Sequence, residues 1–65
     1  MTHYEQHVIN LHADLEREVS MLQNEINGNA EDAFDRDARN LMVIQLEVMR
    51  QYHHVLSLRV EGFKP

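Results

Sequence analysis

The sequence contains no cysteine, no tryptophan, one proline and two glycines among its 65 residues. Without cysteine, neither a disulfide nor a thiolate–zinc site can stabilise the fold, and the composition suits a reducing, intracellular environment. The chain also lacks an apolar run near the ~18 residues that a membrane-spanning helix needs. Its first residues, MTHYEQH, lack the basic and apolar regions of a signal peptide. We therefore expect a soluble cytoplasmic protein with no membrane contact.

Basic residues are scarce, because six Lys and Arg stand against eleven Asp and Glu and give a formal charge of −5. Affinity for DNA and RNA comes largely from Lys and Arg that neutralise phosphates, so we expect no direct nucleic-acid binding. A chain of this length forms one domain at most. Below roughly 70–80 residues a single core supplies only a few kcal/mol, so we expect a homo-oligomer, with a dimer as the simplest case.

Helical periodicity fills the first part of the chain. Thr2-x-x-Glu5 has the spacing of a capping box, in which two side chains satisfy the first backbone N–H groups. Apolar residues then recur at steps of three and four from Tyr4 to Ile26. These features predict a helix over residues 2–27.

The next segment, Asn27-Gly28-Asn29, predicts a turn at 27–29, with Gly28 in the left-handed conformation that ends helices. Asn29 is the expected N-cap of a second helix over residues 30–61, which Gly62 ends. A connection this short makes the helices antiparallel. The predicted fold is therefore all-α: one helical-hairpin domain over residues 1–65 that self-associates into a helical bundle.

The second helix carries two neighbouring apolar rows. One row contains Leu41, Ile44, Val48, Tyr52 and Val55, and the other contains Phe34, Met42, Met49, Leu56 and Phe63. A helix that packs only against its hairpin partner needs one narrow stripe, so the second row predicts contact with another chain.

Three polar residues interrupt the first row at intervals of seven: Gln45, Tyr52 and Arg59. We call these three the polar line. They share a helix face with Leu41 and Val48, which we expect to face a core. One interpretation is a set of polar layers that fix register, and the other is a pocket between protomers for a planar or anionic small molecule. The candidate interface or ligand residues are Gln45, Met49, Tyr52, Leu56, Arg59 and Glu18, the acid within the first helix's apolar stripe.

Five histidines raise the question of a metal. His3 and His7 are four residues apart and share a helix face, and a turn at 27–29 brings His7 towards His53 and His54. The interpretation we adopt is exposed or interfacial histidines with no metal and no cofactor. The alternatives are a metal site of His3, His7 and His53, and a pH-sensitive association.

Acidic residues Glu31, Asp32, Asp35 and Asp37 surround Phe34 without the spacing of a calcium-binding loop. We interpret them as a solvated first helical turn, with docking of a basic partner as the alternative. No catalytic constellation is present, since neither serine lies in a glycine-flanked nucleophile turn. We therefore expect a protein that is not an enzyme.

The pattern Leu41-Met42, Gln45, Met49, Tyr52, Val55-Leu56, Arg59 and Gly62 resembles a family of very small tailed-phage proteins related to a crAss-like phage open reading frame. The resemblance covers residues 41–62 and implies a bacteriophage origin and the host cytoplasm. The connection NGNAEDAFDRDA departs from the family, whose members often carry a proline there. A weaker likeness, at Arg39-x-Leu41 and Leu46-Glu47, is to phage helical hairpins that sequester cyclic nucleotide signals in counter-defence.

These observations give three functional hypotheses. The first is a non-enzymatic interaction protein that self-associates and binds a host or phage macromolecule. The second is a sponge for a small molecule, such as a cyclic nucleotide, with its pocket between protomers around the polar line. The third is an acidic inhibitor that imitates nucleic acid through residues 31–37.

Overall fold

The structure, a computed structural model, describes residues 1–28 and 35–63. Over these residues the chain forms two helices of 26 residues each, α1 (His3–Gly28) and α2 (Arg36–Glu61). At 1.5 Å per residue each helix is a rod of about 39 Å. The two rods pack side by side in opposite directions, so that the start of α1 lies beside the end of α2. The predicted all-α helical hairpin is confirmed.

The capping box at the start of α1 is also confirmed. The backbone N–H of Thr2 donates to Glu5 Oε1 at 2.9 Å, and the backbone N–H of Glu5 donates to Thr2 Oγ1 at 3.0 Å. Each side chain thereby satisfies a backbone donor that the first helical turn leaves without a partner. This reciprocal pair accounts for a helix that begins at His3, next to the predicted boundary.

The connection between the helices differs from the prediction. Gly28 is the last residue of α1, and no glycine within residues 1–28 or 35–63 has a positive φ, so the predicted left-handed termination at Gly28 is wrong. The helix α2 begins at Arg36, later than the predicted start at Ala30. Its N-cap is Asp35, whose extended backbone (φ −70°, ψ 166°) cannot continue a helix and whose carboxylate accepts the N–H of Ala38 at 2.7 Å. The predicted cap at Asn29 lies outside the described residues.

This later start changes which residues of the two helices face each other. A turn at 27–29 centres on position 28, whereas the midpoint between Gly28 and Arg36 is position 32. In an antiparallel hairpin, moving the centre by four positions moves each facing residue by about eight, or roughly two helical turns. His53 therefore lies beside His12, and not beside His7 as the predicted turn implied.

The core is a single seam between the helices. Its buried side chains are Val8, Leu15, Leu22 and Ile26 from α1 and Leu46 and Leu56 from α2. Met42, Met49, Val60 and Phe63 of α2 pack around them. The α2 row that includes Met42, Met49 and Leu56 is thus the one that α1 covers.

The other α2 row is exposed. Leu41 retains 67%, Val48 60% and Val55 51% of its accessible surface. The expectation that this row faces a core is therefore wrong within the hairpin, because α1 packs against the adjacent face of α2. A single helix covers only one stripe of its neighbour, and the second stripe stays open to solvent.

The end of α2 agrees with the sequence. Gly62 is the C-cap, and its backbone N–H donates to the carbonyl of Leu58 at 3.1 Å. Neither α1 nor α2 combines the length and apolar character that crossing a bilayer demands.

Candidate binding surfaces on the two flanks

A regular stripe runs along the exposed side of α2. Its residues follow one another at alternating steps of four and three, which is the spacing of a coiled-coil seam. They are Leu41, Gln45, Val48, Tyr52, Val55 and Arg59, and all six are exposed in the hairpin. We call this stripe the outer seam.

Apolar and polar residues alternate along the outer seam. Leu41, Val48 and Val55 occupy one of its two repeating positions, and the polar line occupies the other. Residues seven apart on a helix are separated by about 10.5 Å along its axis. The seam therefore presents apolar contacts at regular intervals, with an amide, a phenol and a guanidinium between them.

The Arg59 end of the outer seam contains a cation and two aromatic rings. The Arg59 Nη2 donates to the hydroxyl of Tyr4, and its guanidinium carbon lies 5.6 Å from the centre of the Tyr4 ring. The Tyr4 ring meets Phe63 edge to face, with centroids 6.4 Å apart and planes at 66°. A guanidinium offers paired donors to anionic oxygens, and aromatic rings offer a face to a planar group. This end therefore places a guanidinium beside two aromatic rings.

The Gln45 end has the opposite charge. A shallow groove of about 260 Å³ lies there between the helices, lined by Glu18, Met21, Leu22, Glu25, Gln45 and Met49. Two carboxylates in its wall disfavour an anion. Three of the candidate residues, Glu18, Gln45 and Met49, thus line one groove, and Glu18 itself is exposed instead of embedded in the seam.

The other flank of the hairpin has its own polar cluster. Glu16 and Glu18 are two residues apart on α1, a rotation of about 200°, so they lie on different sides of the interface. On the Glu16 side, the rings of His12 and His53 are stacked with centroids 4.4 Å apart and planes at 25°. The Ser57 hydroxyl lies 2.8 Å from His12 Nε2 and 3.0 Å from the carbonyl of His53. We call His12, Glu16, His53 and Ser57 the histidine flank.

The hydrogen bonds of Ser57 define the tautomer of a neutral His12. The carbonyl of His53 can only accept, so the single hydroxyl hydrogen of Ser57 is committed to it. The Ser57 oxygen must then accept from His12, which places the ring hydrogen on Nε2 and the free lone pair on Nδ1. In addition, His53 Nε2 is shielded from solvent and has no hydrogen-bond partner among the described residues. A buried nitrogen left in this state costs roughly 1–3 kcal/mol.

The remaining predicted residues fall into separate places. His3 and His7 are exposed on α1, and the structure pairs His53 with His12 instead. Leu56 is fully buried in the core and offers no surface to a ligand. Asp35 acts as the N-cap of α2.

The other members of the acidic group lie partly within and partly outside the described residues. Asp37 is exposed in the first turn of α2. Glu31, Asp32 and Phe34 lie outside the described residues.

Sequence reasoning missed Tyr4, His12 and Ser57. Tyr4 and Arg59 each stand near the open end of the hairpin, so antiparallel pairing was a signal for their contact. Finding His12 beside His53 required the true centre of the connection, which the sequence pattern placed too early.

The chain is thus a small antiparallel helical hairpin that leaves a complete heptad stripe exposed. The family is more specific: a model of the Sequestin family matches residues 2–61, so the chain belongs to that family. The family name describes sequestering, which is a binding role and not a catalytic one. No curated protein and no solved structure matches the chain. The match covers both helices, whereas the link to tailed phages stays a prediction.

Proposed function

We propose that this chain is a non-catalytic sequestering protein. Hairpins associate through the outer seam, and a small planar anion of the nucleotide class is held between them at the Arg59 end. The observation that carries the proposal is a complete heptad stripe left on the surface, with a guanidinium and aromatic rings at one end. The family name supports the sequestering role and leaves the ligand open.

Association is favoured by the geometry of the stripe. Exposed apolar side chains at alternating steps of four and three are the pattern that lets two helices pack knobs into holes. The hairpin itself has only six buried side chains among the described residues, so a second copy would add the apolar burial that a chain of this size needs. A symmetric dimer uses the same stripe twice.

The charges select the end of the seam at which an anion binds. Glu18 and Glu25 lie in the groove beside Gln45, so that end repels phosphate. At the other end Arg59 supplies charge, while Tyr4 and Tyr52 supply ring faces on which a base can stack. The Arg59–Tyr4 contact also orients the guanidinium before a ligand arrives.

A thermal-shift screen tests the ligand class directly. A panel of cyclic dinucleotides and mononucleotides is added to the purified chain, and we expect at least one compound to raise the melting temperature. Arg59→Ala should abolish the rise, since it removes the paired donors. Arg50→Ala is the matched control, because Arg50 sits on the opposite flank, bonded to Gln23. A flat panel, or an equal loss in both variants, contradicts the proposed ligand.

A second candidate is the binding of a host or phage macromolecule. It is favoured by Met21, Val43 and Leu58, which are exposed apolar residues outside the outer seam. If a partner protein binds around Leu58, Leu58→Glu should weaken its capture while the oligomer persists. Unchanged capture by that variant would exclude this surface.

The acidic inhibitor remains a separate prediction. Asp37 is exposed, as this hypothesis requires, while Asp35 is engaged as a helix cap. It predicts binding to a basic DNA-binding protein that weakens steeply as salt rises. Binding that is indifferent to salt argues against it.

A further inference from the structure

Three potential metal ligands meet on the histidine flank. His12, Glu16 and His53 each offer one ligand atom, and these atoms all lie within 4.8 Å of one another. His12 and Glu16 are four residues apart on α1, so they share one helix face, and His53 comes from α2. The packing of the two helices thus assembles a donor set that neither helix contains by itself.

The hydrogen bonds already orient one ligand. With its Nε2–H donated to Ser57, a neutral His12 has its free lone pair on Nδ1. Metal-bound histidines commonly donate the other ring N–H to an oxygen, which fixes the tautomer and the orientation of the ring. Ser57 provides that oxygen here, and its own hydrogen is held by the carbonyl of His53. It is a positioning residue for the set.

The second histidine, His53, has a ring nitrogen that is available to bind a metal ion. His53 is half-buried, and its Nε2 has no hydrogen-bond partner among the residues that the structure describes. Glu16 is exposed and stands at the solvent side of the pair. The set therefore combines two imidazoles with one carboxylate and stays open on one side.

We propose that His12, Glu16 and His53 form a binding site for a divalent transition-metal ion, with Zn²⁺ as the preferred ion. Two histidines and a carboxylate are a recurrent zinc donor set, in which water fills the fourth position. The ring planes are 25° apart in the hairpin, so binding requires the two imidazoles to rotate until their lone pairs converge on the ion. Binding then links α1 to α2 across one flank, which stabilises the folded hairpin over the unfolded chain.

This site is independent of the sequestering proposal. It lies on the opposite flank from the outer seam, and it shares no residue with the polar line or with the groove beside Gln45. A chain that binds zinc but no nucleotide, or nucleotide but no zinc, separates the two proposals.

Zinc alone is the probe, measured by calorimetric titration and by thermal unfolding of the full chain in chelator-free buffer. We expect one Zn²⁺ per chain and a rise in melting temperature of roughly 10 °C when free zinc is 100-fold above the dissociation constant. Glu16→Gln preserves shape at an exposed position, and it should weaken binding at least tenfold. His12→Gln should abolish it, with circular dichroism checking that the helices remain.

The matched control is the double variant His3→Gln and His7→Gln, which removes the other histidine pair with i,i+4 spacing on α1. It should bind zinc within twofold of the unsubstituted chain. Loss of binding in this control, or unchanged binding in Glu16→Gln, overturns the proposal.

Ser57→Ala gives a readout specific to its positioning role. Removing an outer-shell partner commonly lowers metal affinity 10- to 100-fold, and we expect a loss in that range. Cobalt provides the spectroscopic check: Co²⁺ at this site should give visible d–d bands that zinc displaces and that His12→Gln lacks. Zinc affinity unchanged by Ser57→Ala overturns the assigned tautomer.

Discussion

The two flanks of this hairpin use polar residues in opposite ways. On the histidine flank, polar groups bond to one another across the interface, as in the contacts of His12 with Ser57 and of Gln23 with Arg50. Along the outer seam, Gln45 and Tyr52 face outward among exposed apolar side chains, and Arg59 at its end is the member that bonds α1, through Tyr4. The same two helices therefore present one flank whose polar groups link α1 to α2 and another along which Gln45 and Tyr52 stay open to solvent.

The largest expected effect is a difference in the free energy of unfolding between a substitution in the buried seam and one on the exposed side of α2. Leu56→Ala removes a fully buried side chain and should lower the free energy of unfolding by about 2–5 kcal/mol. Leu58→Ala, two residues away and 54% exposed, should change it by less than about 0.5 kcal/mol. Urea unfolding followed by circular dichroism measures both. Equal losses would mean that Leu58 is also buried in solution.

The next effect tests the outer seam as an interface. Val48→Asp places a charge in the middle of the stripe and should weaken self-association at least tenfold, about 1.4 kcal/mol. Val43→Asp makes the same change at an exposed position outside the stripe and serves as the control. Analytical ultracentrifugation over a concentration series measures both. A chain without substitutions that sediments as a monomer at micromolar concentration contradicts the proposed assembly.

A smaller effect tests whether the hydrogen bonds of Ser57 on the histidine flank stabilise the pairing of the two helices. Ser57→Ala removes a hydroxyl that bonds both His12 and the carbonyl of His53, and it should lower the free energy of unfolding by about 0.5–1.5 kcal/mol. Ser20→Ala on the exposed face of α1 is the control, with little expected change. Thermal unfolding without added metal provides the comparison. Similar shifts of the melting temperature in the two variants would indicate that the hydrogen bond between the helices does not contribute to stability.

The smallest effect concerns the polar line. Gln45→Leu replaces an amide by an apolar side chain of similar size within the outer seam. If Gln45 sets register, self-association should tighten by only about two- to threefold while the oligomer becomes less uniform. Sedimentation velocity would show this as a broadened distribution. A single sharp species with unchanged affinity would indicate that Gln45 contributes nothing to pairing.

Local features were predictable because they depend on neighbours in sequence. The Thr2–Glu5 capping box and the termination at Gly62 involve contacts within one helical turn, and both are present. The stripe from Leu41 to Arg59 was also visible as a pattern, since helical geometry alone puts those residues on one face. The sequence did not indicate which of the two α2 rows α1 would cover.

The connection was less predictable, because its candidate caps compete. Asn29 and Asp35 both have side chains that can cap a helix. Which of them caps α2 depends on how the whole of α2 packs against α1. The described start of α2 follows Asp35. That choice moves the register along the helices and brings His12, in place of the predicted His7, to His53.

By itself the sequence determined the helices, their antiparallel arrangement and the heptad spacing of the outer seam, because these follow from periodicity, capping and the brevity of the connection. Only the tertiary structure decided what those helices bring together. Which residues of α1 lie opposite which residues of α2 depends on where the chain turns. The position of the turn therefore sets the contacts along the whole length of the antiparallel pair. That is why His12 and His53 meet, why Tyr4 holds Arg59, and why Val48 stays exposed.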